Sequence, residues 1–368
     1  MENGFFVKIN YRIYTTFSEK HGIILSIISK KENPMAIYFG TYTKRESKGI
    51  YKANFDSETG QLSNLELVTE EPNPTYLAFD KAGHLYSVGA ENGLGGIAAF
   101  NTDYTLLNHV VSEGAPLCYV AVDEARDLVY GSNFHKGQLL VYKRLADGSL
   151  ELADVAQHEG SGPHENQASA HVHFSDLTPD KFLVTCDLGC DQVVTYKVSD
   201  QGKVEKIATY QAAPGSGPRH IVFHTVAKIA YLICELNSTI EVLIYDGWGQ
   251  FEHLQTVSTL PEDHTGFNGT AAIRITKDGK FIYGSNRGND SIAVYKTLAD
   301  ASLELVEIVP TNGKTPRDFT LSPDEKHLIV VHQDSDNATV FKRDAENGCL
   351  TELSHDFYVP EAVCVTFL

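Results

Sequence analysis

Pro218-Arg219-His220-Ile221-Val222-Phe223, Ile229-Ala230-Tyr231-Leu232-Ile233-Cys234-Glu235 and Ile240-Glu241-Val242-Leu243-Ile244-Tyr245 follow one another with only short breaks. Each run is rich in β-branched and aromatic residues, as strands are, and the third ends on an aromatic. The same phrase returns along the chain. Its copies open near Pro74, Pro116, Val172, Pro218, Thr270, Pro316 and Pro360, a mean step of about 48 residues. Turn signals such as Asp80-Lys81-Ala82-Gly83, Lys277-Asp278-Gly279-Lys280 and Ser322-Pro323-Asp324-Glu325 separate the runs. No amphipathic pattern of helix length interrupts them. A period of this size made only of short strands predicts an all-β fold, a seven-bladed β-propeller.

The last copy is incomplete. Pro360-Glu361-Ala362-Val363-Cys364-Val365-Thr366-Phe367-Leu368 holds one strand. Its continuation stands at the other end of the chain, in Ile37-Tyr38-Phe39-Gly40-Thr41-Tyr42-Thr43 and Gly49-Ile50-Tyr51-Lys52. A ring closed by N- and C-terminal strands in one blade removes the open edge that a linear array would expose. Paired β-sandwiches also carry short strands at regular spacing and are the competing architecture. A WD-type propeller is excluded by the single Trp248 and the lack of a Gly-His to Trp-Asp pairing.

The propeller domain is expected over residues 35–368. Residues 1–34 carry Lys20, Lys30 and Lys31 around Ile23-Ile24-Leu25-Ser26-Ile27-Ile28, with no small-residue cleavage site after them. Met35 therefore reads as the natural start and 1–34 as an extension outside the propeller. The mass of the native N-terminus tests this.

The chain has 368 residues, 42% of them hydrophobic, and a net charge of −18 from 30 basic and 48 acidic residues. It has no basic tract for nucleic acid and no apolar run near the roughly 20 residues that span a membrane. An anionic substrate would need its own cluster of Arg or Lys. Cys118, Cys186, Cys190, Cys234, Cys349 and Cys364 form no zinc-type spacing, so a reduced, cytoplasmic protein is expected. Oligomeric state is not readable from these features.

In a propeller the innermost strands line a central channel. The residue after each opening position should point there: Thr75, Leu117, His173, Arg219, Ala271, Arg317 and Glu361. A second column ends the following strand: Tyr42, Glu91, Phe134, Asp187, Glu235, Arg287 and Gln333. Both columns are rich in charge, which strands built only for packing do not need. Arg219, Arg287 and Arg317 suit anion binding, and Glu235, Asp187 and His173 are acid–base candidates. On a strand His171 and His173 would share a face, so a metal pair with Asp187 as third ligand is one reading. A channel acid–base histidine without metal is the favoured one, since catalytic zinc wants three firm protein ligands. The Gly93-Leu94-Gly95-Gly96 run opens no helix, and no Ser, His and Asp set has nucleophile spacing. No cofactor is expected.

Phe39-Gly40-Thr41-Tyr42-Thr43 with Ser47-Lys48-Gly49-Ile50-Tyr51, His171-Val172-His173, Asp187-Leu188-Gly189-Cys190-Asp191 and Gly217-Pro218-Arg219-His220 occur in that order. Cys234-Glu235-Leu236-Asn237, Ser285-Asn286-Arg287-Gly288-Asn289-Asp290-Ser291-Ile292 and Thr315-Pro316-Arg317-Asp318-Phe319 follow. From Met35 to the C-terminus this series resembles the seven-bladed propeller lactonases, the family of the propeller-type bacterial 6-phosphogluconolactonases. The resemblance implies hydrolysis of 6-phospho-D-glucono-1,5-lactone to 6-phosphogluconate, in the pentose phosphate pathway. The series also resembles a fungal enzyme that interconverts a muconate and its lactone. That resemblance implies a site of His173, Glu235, Arg219 and Arg287. Tyr42, His171, Asp187, His220 and Arg317, read from the columns and their neighbours, are expected as further substrate contacts. Val172 replaces the family's proline between the two histidines, which leaves His171 and His173 as alternatives for the functional ring. A lactonase or lactonising cycloisomerase on an unphosphorylated acid is the competing enzyme. A propeller used as an interaction scaffold is the non-enzymatic alternative, against which the charged inner columns stand.

Overall fold

The recurring phrase folds each time as a four-stranded antiparallel sheet. A computed structural model describes residues 34–368, so the expected extension over 1–34 lies, apart from Pro34, outside the described residues. Twenty-eight strands form seven such sheets, and the described residues contain no helix. Six blades are continuous in sequence: 77–112, 119–157, 172–211, 218–258, 269–310 and 316–358, here blades 1 to 6. In blade 7 the strand Ala362–Phe367 pairs with Met35–Thr41, which continues into Gly49–Asp56 and Gln61–Glu70. The inner strands touch in ring order, and Ala362–Phe367 packs on both the first and the sixth blade's inner strand. The ring is therefore closed by the two ends of the domain, as the incomplete last copy predicts.

The core lies mainly between blades. Tyr231 and Ile233 of blade 4 pack with Ile273 and Ile282 of blade 5, and Phe281 and Tyr283 of blade 5 pack with Phe319 and Leu328 of blade 6. The aromatic near the end of the third strand is buried in every blade: Phe55, Phe100, Tyr142, Tyr196, Tyr245, Tyr295 and Phe341. Burying one such ring contributes on the order of 2–3 kcal/mol, so this repeat position alone draws each sheet against its neighbour.

The inner strands carry a local irregularity that aims side chains. In blade 3, Val172 opposes Asp187 and Phe174 opposes Cys186, which leaves His173 unopposed. In blade 4 the partners of Pro218 and His220 are Cys234 and Ile233, leaving Arg219. In blade 6 the partners of Pro316 and Asp318 are His332 and Val331, leaving Arg317. In blade 7 the register shift between Gly40 and Thr41 leaves Val363. An extra residue of this kind bends the strand and frees its side chain from the alternation of the sheet. The bulges recur at the same end of the inner strands.

Candidate active site

The bulged ends surround a cavity of about 400 Å³ at one mouth of the channel. His173, Arg219 and Arg317 enter from the bulges, and Tyr42, Phe134, Glu235 and Arg287 from the ends of the second strands. His220, Lys44, Thr75, Leu117 and Val363 complete much of the wall. The two columns read from the sequence thus meet in one place, with exceptions given below.

Glu235 is the hub. Arg219 Nε donates to its Oε2 at 2.8 Å, and Arg287 Nη2 lies 2.9 Å from the same oxygen. Both ion pairs therefore fall on Oε2 and leave Oε1 without one. The Glu235 N–H donates to the Gly217 carbonyl at 2.7 Å, and its own carbonyl accepts from Thr270 at 3.3 Å. Gly217 has φ +67°, a conformation that favours glycine, so the turn before Arg219 is built to reach Glu235. The opening residues of blade 5 hold the arginines. Gly269 and Thr270 carbonyls accept from Arg287 at 3.2 and 2.8 Å, and Ala271 accepts from Arg219 Nη1 at 2.6 Å. Ala271 has no chemistry of its own, yet its carbonyl fixes a guanidinium.

The cavity is cationic within an acidic chain. Arg219, Arg287, Arg317 and Lys44 stand in its wall against Glu235 and Asp318, while the whole chain carries −18. Asp318 is already engaged by Arg274 at 2.7 Å. Arg317 and Lys44 both lie over the Tyr42 ring, at 5.8 and 4.0 Å from its centroid. Among the described residues neither makes an ion pair, and Arg317 has only a 3.4 Å bond to Gln333.

These charges set the protonation states. Burial opposes ionisation of Glu235, but Arg287, Arg219 and Arg317 outweigh it and hold the carboxyl below its ordinary range. Burial, then repulsion by Arg287, pushes the Arg219 guanidinium down to about 9 against the pull of Glu235, so it is cationic at neutral pH. Burial and the three arginines push His173 well below its usual value. His220 is depressed by burial, then by Arg219 and His173. Both imidazoles are therefore neutral at pH 7. Their rings lie 5.2 Å apart, and His173 Nδ1 is buried without a hydrogen-bond partner. A charged carboxylate, fixed guanidiniums and neutral imidazoles together can bind an anion, steady an oxyanion and take a proton from water.

Several predicted positions go elsewhere. His171 precedes the strand Val172–Leu177, and the bulge at His173 breaks the alternation that would set the two rings on one face. Its ring stacks on Phe134 at 4.3 Å and its Nδ1 faces the Phe134 carbonyl at 2.9 Å, outside the main cavity. Asp187 is fully buried and turned from the cavity. Its Oδ1 accepts from the N–H groups of His171, Gly189 and Cys190, and its Oδ2 pairs with His158 at 2.8 Å. His171, His173 and Asp187 thus do not converge on a metal-sized point, and no group of three or more metal-ligating side chains forms among the described residues. Glu361, expected in the inner column, accepts from the backbone N–H groups of Lys44, Arg45, Glu46 and Ser47 at 2.9–3.0 Å. Val363 takes its place because the bulge of blade 7 falls two residues later. Glu91 has a half-exposed side chain near His109, and Gln333 lines a neighbouring recess. Lys44 is a charged cavity residue that strand reasoning missed. It lies on a loop with no periodic pattern, and its signal was the Glu361 carboxylate that folds that loop.

Residues 36–367 match the family model described as lactonase, 7-bladed beta-propeller. The 6-phosphogluconolactonase of Bacillus subtilis (strain 168) is 41% identical over 341 residues, covering 90% of this chain and 97% of that protein. A crystal structure of a Lactobacillus plantarum protein superposes with a TM-score of 0.90 at 47% identity, covering 91% of this chain and 99% of that one. The periplasmic gluconolactonase of Pseudomonas aeruginosa superposes with a TM-score of 0.84 at 28% identity, covering 91% and 99%.

Proposed function

Because this chain belongs to the family of seven-bladed β-propeller lactonases, hydrolases of lactone esters, we propose that its substrate is 6-phospho-D-glucono-1,5-lactone. The product is 6-phosphogluconate, and the reaction belongs to the pentose phosphate pathway. One observation carries the choice of a phosphorylated lactone. The cavity that holds the Arg219–Glu235–Arg287 group also holds two cations without ion pairs, Arg317 and Lys44. A sugar lactone without a phosphate would leave both unanswered.

In this reading the phosphate lies against Arg317 and Lys44 beside Tyr42. The lactone carbonyl oxygen lies toward Arg219 and Arg287, which stay fixed on backbone carbonyls and need no rearrangement as charge develops. Glu235, through Oε1, takes a proton from the attacking water. The C–O bond to the ring oxygen then breaks, Glu235 returns the proton to that oxygen, and the acid formed ionises. His173, neutral, receives a hydrogen bond from a substrate hydroxyl, while His220 Nε2 accepts from Arg219 Nη1 at 3.4 Å and steadies that guanidinium. A cytoplasmic location belongs to the same proposal and accords with six free cysteines. Among the described residues no helix is long and apolar enough to cross a membrane.

Alanine variants of Arg219 and Glu235, assayed by pH-stat on freshly made phosphogluconolactone, test the assignment. Each is expected to lose about 100-fold or more in background-corrected rate. Full activity in both would refute it.

A further inference from the structure

Ten residues, 259–268, connect the outer strand of blade 4 to the inner strand of blade 5, and next to last among them stands an exposed phenylalanine. The stems are tied down. Thr259 donates its hydroxyl to the Asn286 side chain at 2.7 Å, and Asn286 donates back to the Thr259 carbonyl at 2.8 Å. Asn268 donates to Ser238 Oγ at 2.9 Å and accepts from the Asn289 N–H at 3.1 Å. Gly266 has φ +112°, which favours glycine, and open space around it. Phe267 follows, 79% exposed, just before the anchored Asn268.

Its position is specific. A methyl group built on Gly269 would meet Arg287 Nη2 at 3.2 Å, Glu235 Cγ at 3.5 Å and Phe267 Cζ at 3.7 Å. The tip of the ring and the Glu235–Arg287 pair thus border the same point on Gly269. Phe267 also stands, with Arg287 and Arg317, in the wall of a second recess of about 310 Å³ that shares those arginines with the main cavity. A ring left in water gains nothing from folding, but it can be covered by a ligand.

We propose that Phe267 is a specificity-determining residue: its ring is a platform for the C–H face of a sugar lactone whose carbonyl lies against Arg287. A ring lactone of the hexose type carries polarised C–H bonds on one face, and these suit the negative face of an aromatic. The inference rests on the lactonase reading of the cavity.

Phe267→Ala, Phe267→Leu and Phe267→Trp, assayed with wild type by pH-stat on freshly made phosphogluconolactone, test it. Alanine and leucine are expected to raise KM about tenfold with kcat within about twofold of wild type, and tryptophan to restore KM. A Phe267→Ala KM within about twofold of wild type, or a fall in kcat at unchanged KM, overturns the platform while wild-type turnover upholds the lactonase reading. Wild-type protein that opens no lactone overturns both.

Discussion

Arg219 and Glu235 are joined at 2.8 Å, and the bond ties the unopposed residue of one strand to the residue just past the end of the next. Arg219 is 3% exposed, so its charge depends on this partner. Arg287 joins the same oxygen from blade 5, and the three side chains form a unit spanning two blades.

That unit predicts a split between two substitutions at one position. Glu235→Gln keeps the shape and is expected to fold but to lose about 100-fold or more in kcat, because no carboxylate remains to take the proton. Glu235→Ala strands a buried guanidinium and is expected to cost about 3 kcal/mol in urea unfolding as well.

Arg219→Lys retains the charge but not the planar fork. Nε serves Glu235 and Nη1 serves the Ala271 carbonyl, and a single ammonium cannot reach both in that geometry. A loss of about 100-fold in kcat is expected, measured by initial rates at saturating lactone.

The cavity predicts a flat pH profile through neutrality. Glu235 is held below its ordinary range, and His173 and His220 are pushed far below theirs. None of the three changes charge between about pH 5 and 8. Background-corrected kcat is expected to be level there, to fall in acid as Glu235 protonates, and to fall again in alkali as Arg219, pushed down to about 9, loses its charge. A step centred near the ordinary histidine value of about 6.5 would contradict these environments.

Asp187 predicts an effect on stability. Burial opposes its ionisation, but the His158 bond and the N–H groups of His171 and Cys190 hold the carboxyl below its ordinary value. A carboxylate lowered on folding adds stability above its unfolded pKa of about 4, and that stability is lost as pH falls through the folded value. Asp187→Asn is expected to cost about 3 kcal/mol at neutral pH and to flatten the acid side of the stability curve, followed by thermal unfolding. An unchanged melting midpoint at pH 7 would contradict this role.

Much of this was legible in the residues alone. The period fixed seven openings, and the observed inner strands begin within three residues of each. His173, Arg219 and Arg317 follow their openings by one residue in both readings, because bulges leave that residue free. Blade 7 departed from the pattern because its bulge frees Val363, which turned Glu361 into a loop anchor. Asp187 was set in one column with Glu235, but the pairing places it one residue earlier: it opposes Val172 as Cys234 opposes Pro218, while Glu235 lies just past the end of its strand. A slip of one residue turns the side chain to the backbone donors of a turn, and turn conformation carries no period. Lys44 and Phe267 escaped for the same reason, as both lie on connectors between strands.

The central claim, a phosphorylated sugar lactone opened beside three arginines, is tested most directly by one ratio. It is kcat/KM for 6-phosphoglucono-1,5-lactone over kcat/KM for glucono-1,5-lactone, in wild type and in Arg317→Ala. Two unpaired cations engaging one phosphate predict a ratio of about 100 or more in wild type, falling at least tenfold in Arg317→Ala while glucono-1,5-lactone turnover is unchanged. A wild-type ratio near one would contradict the account.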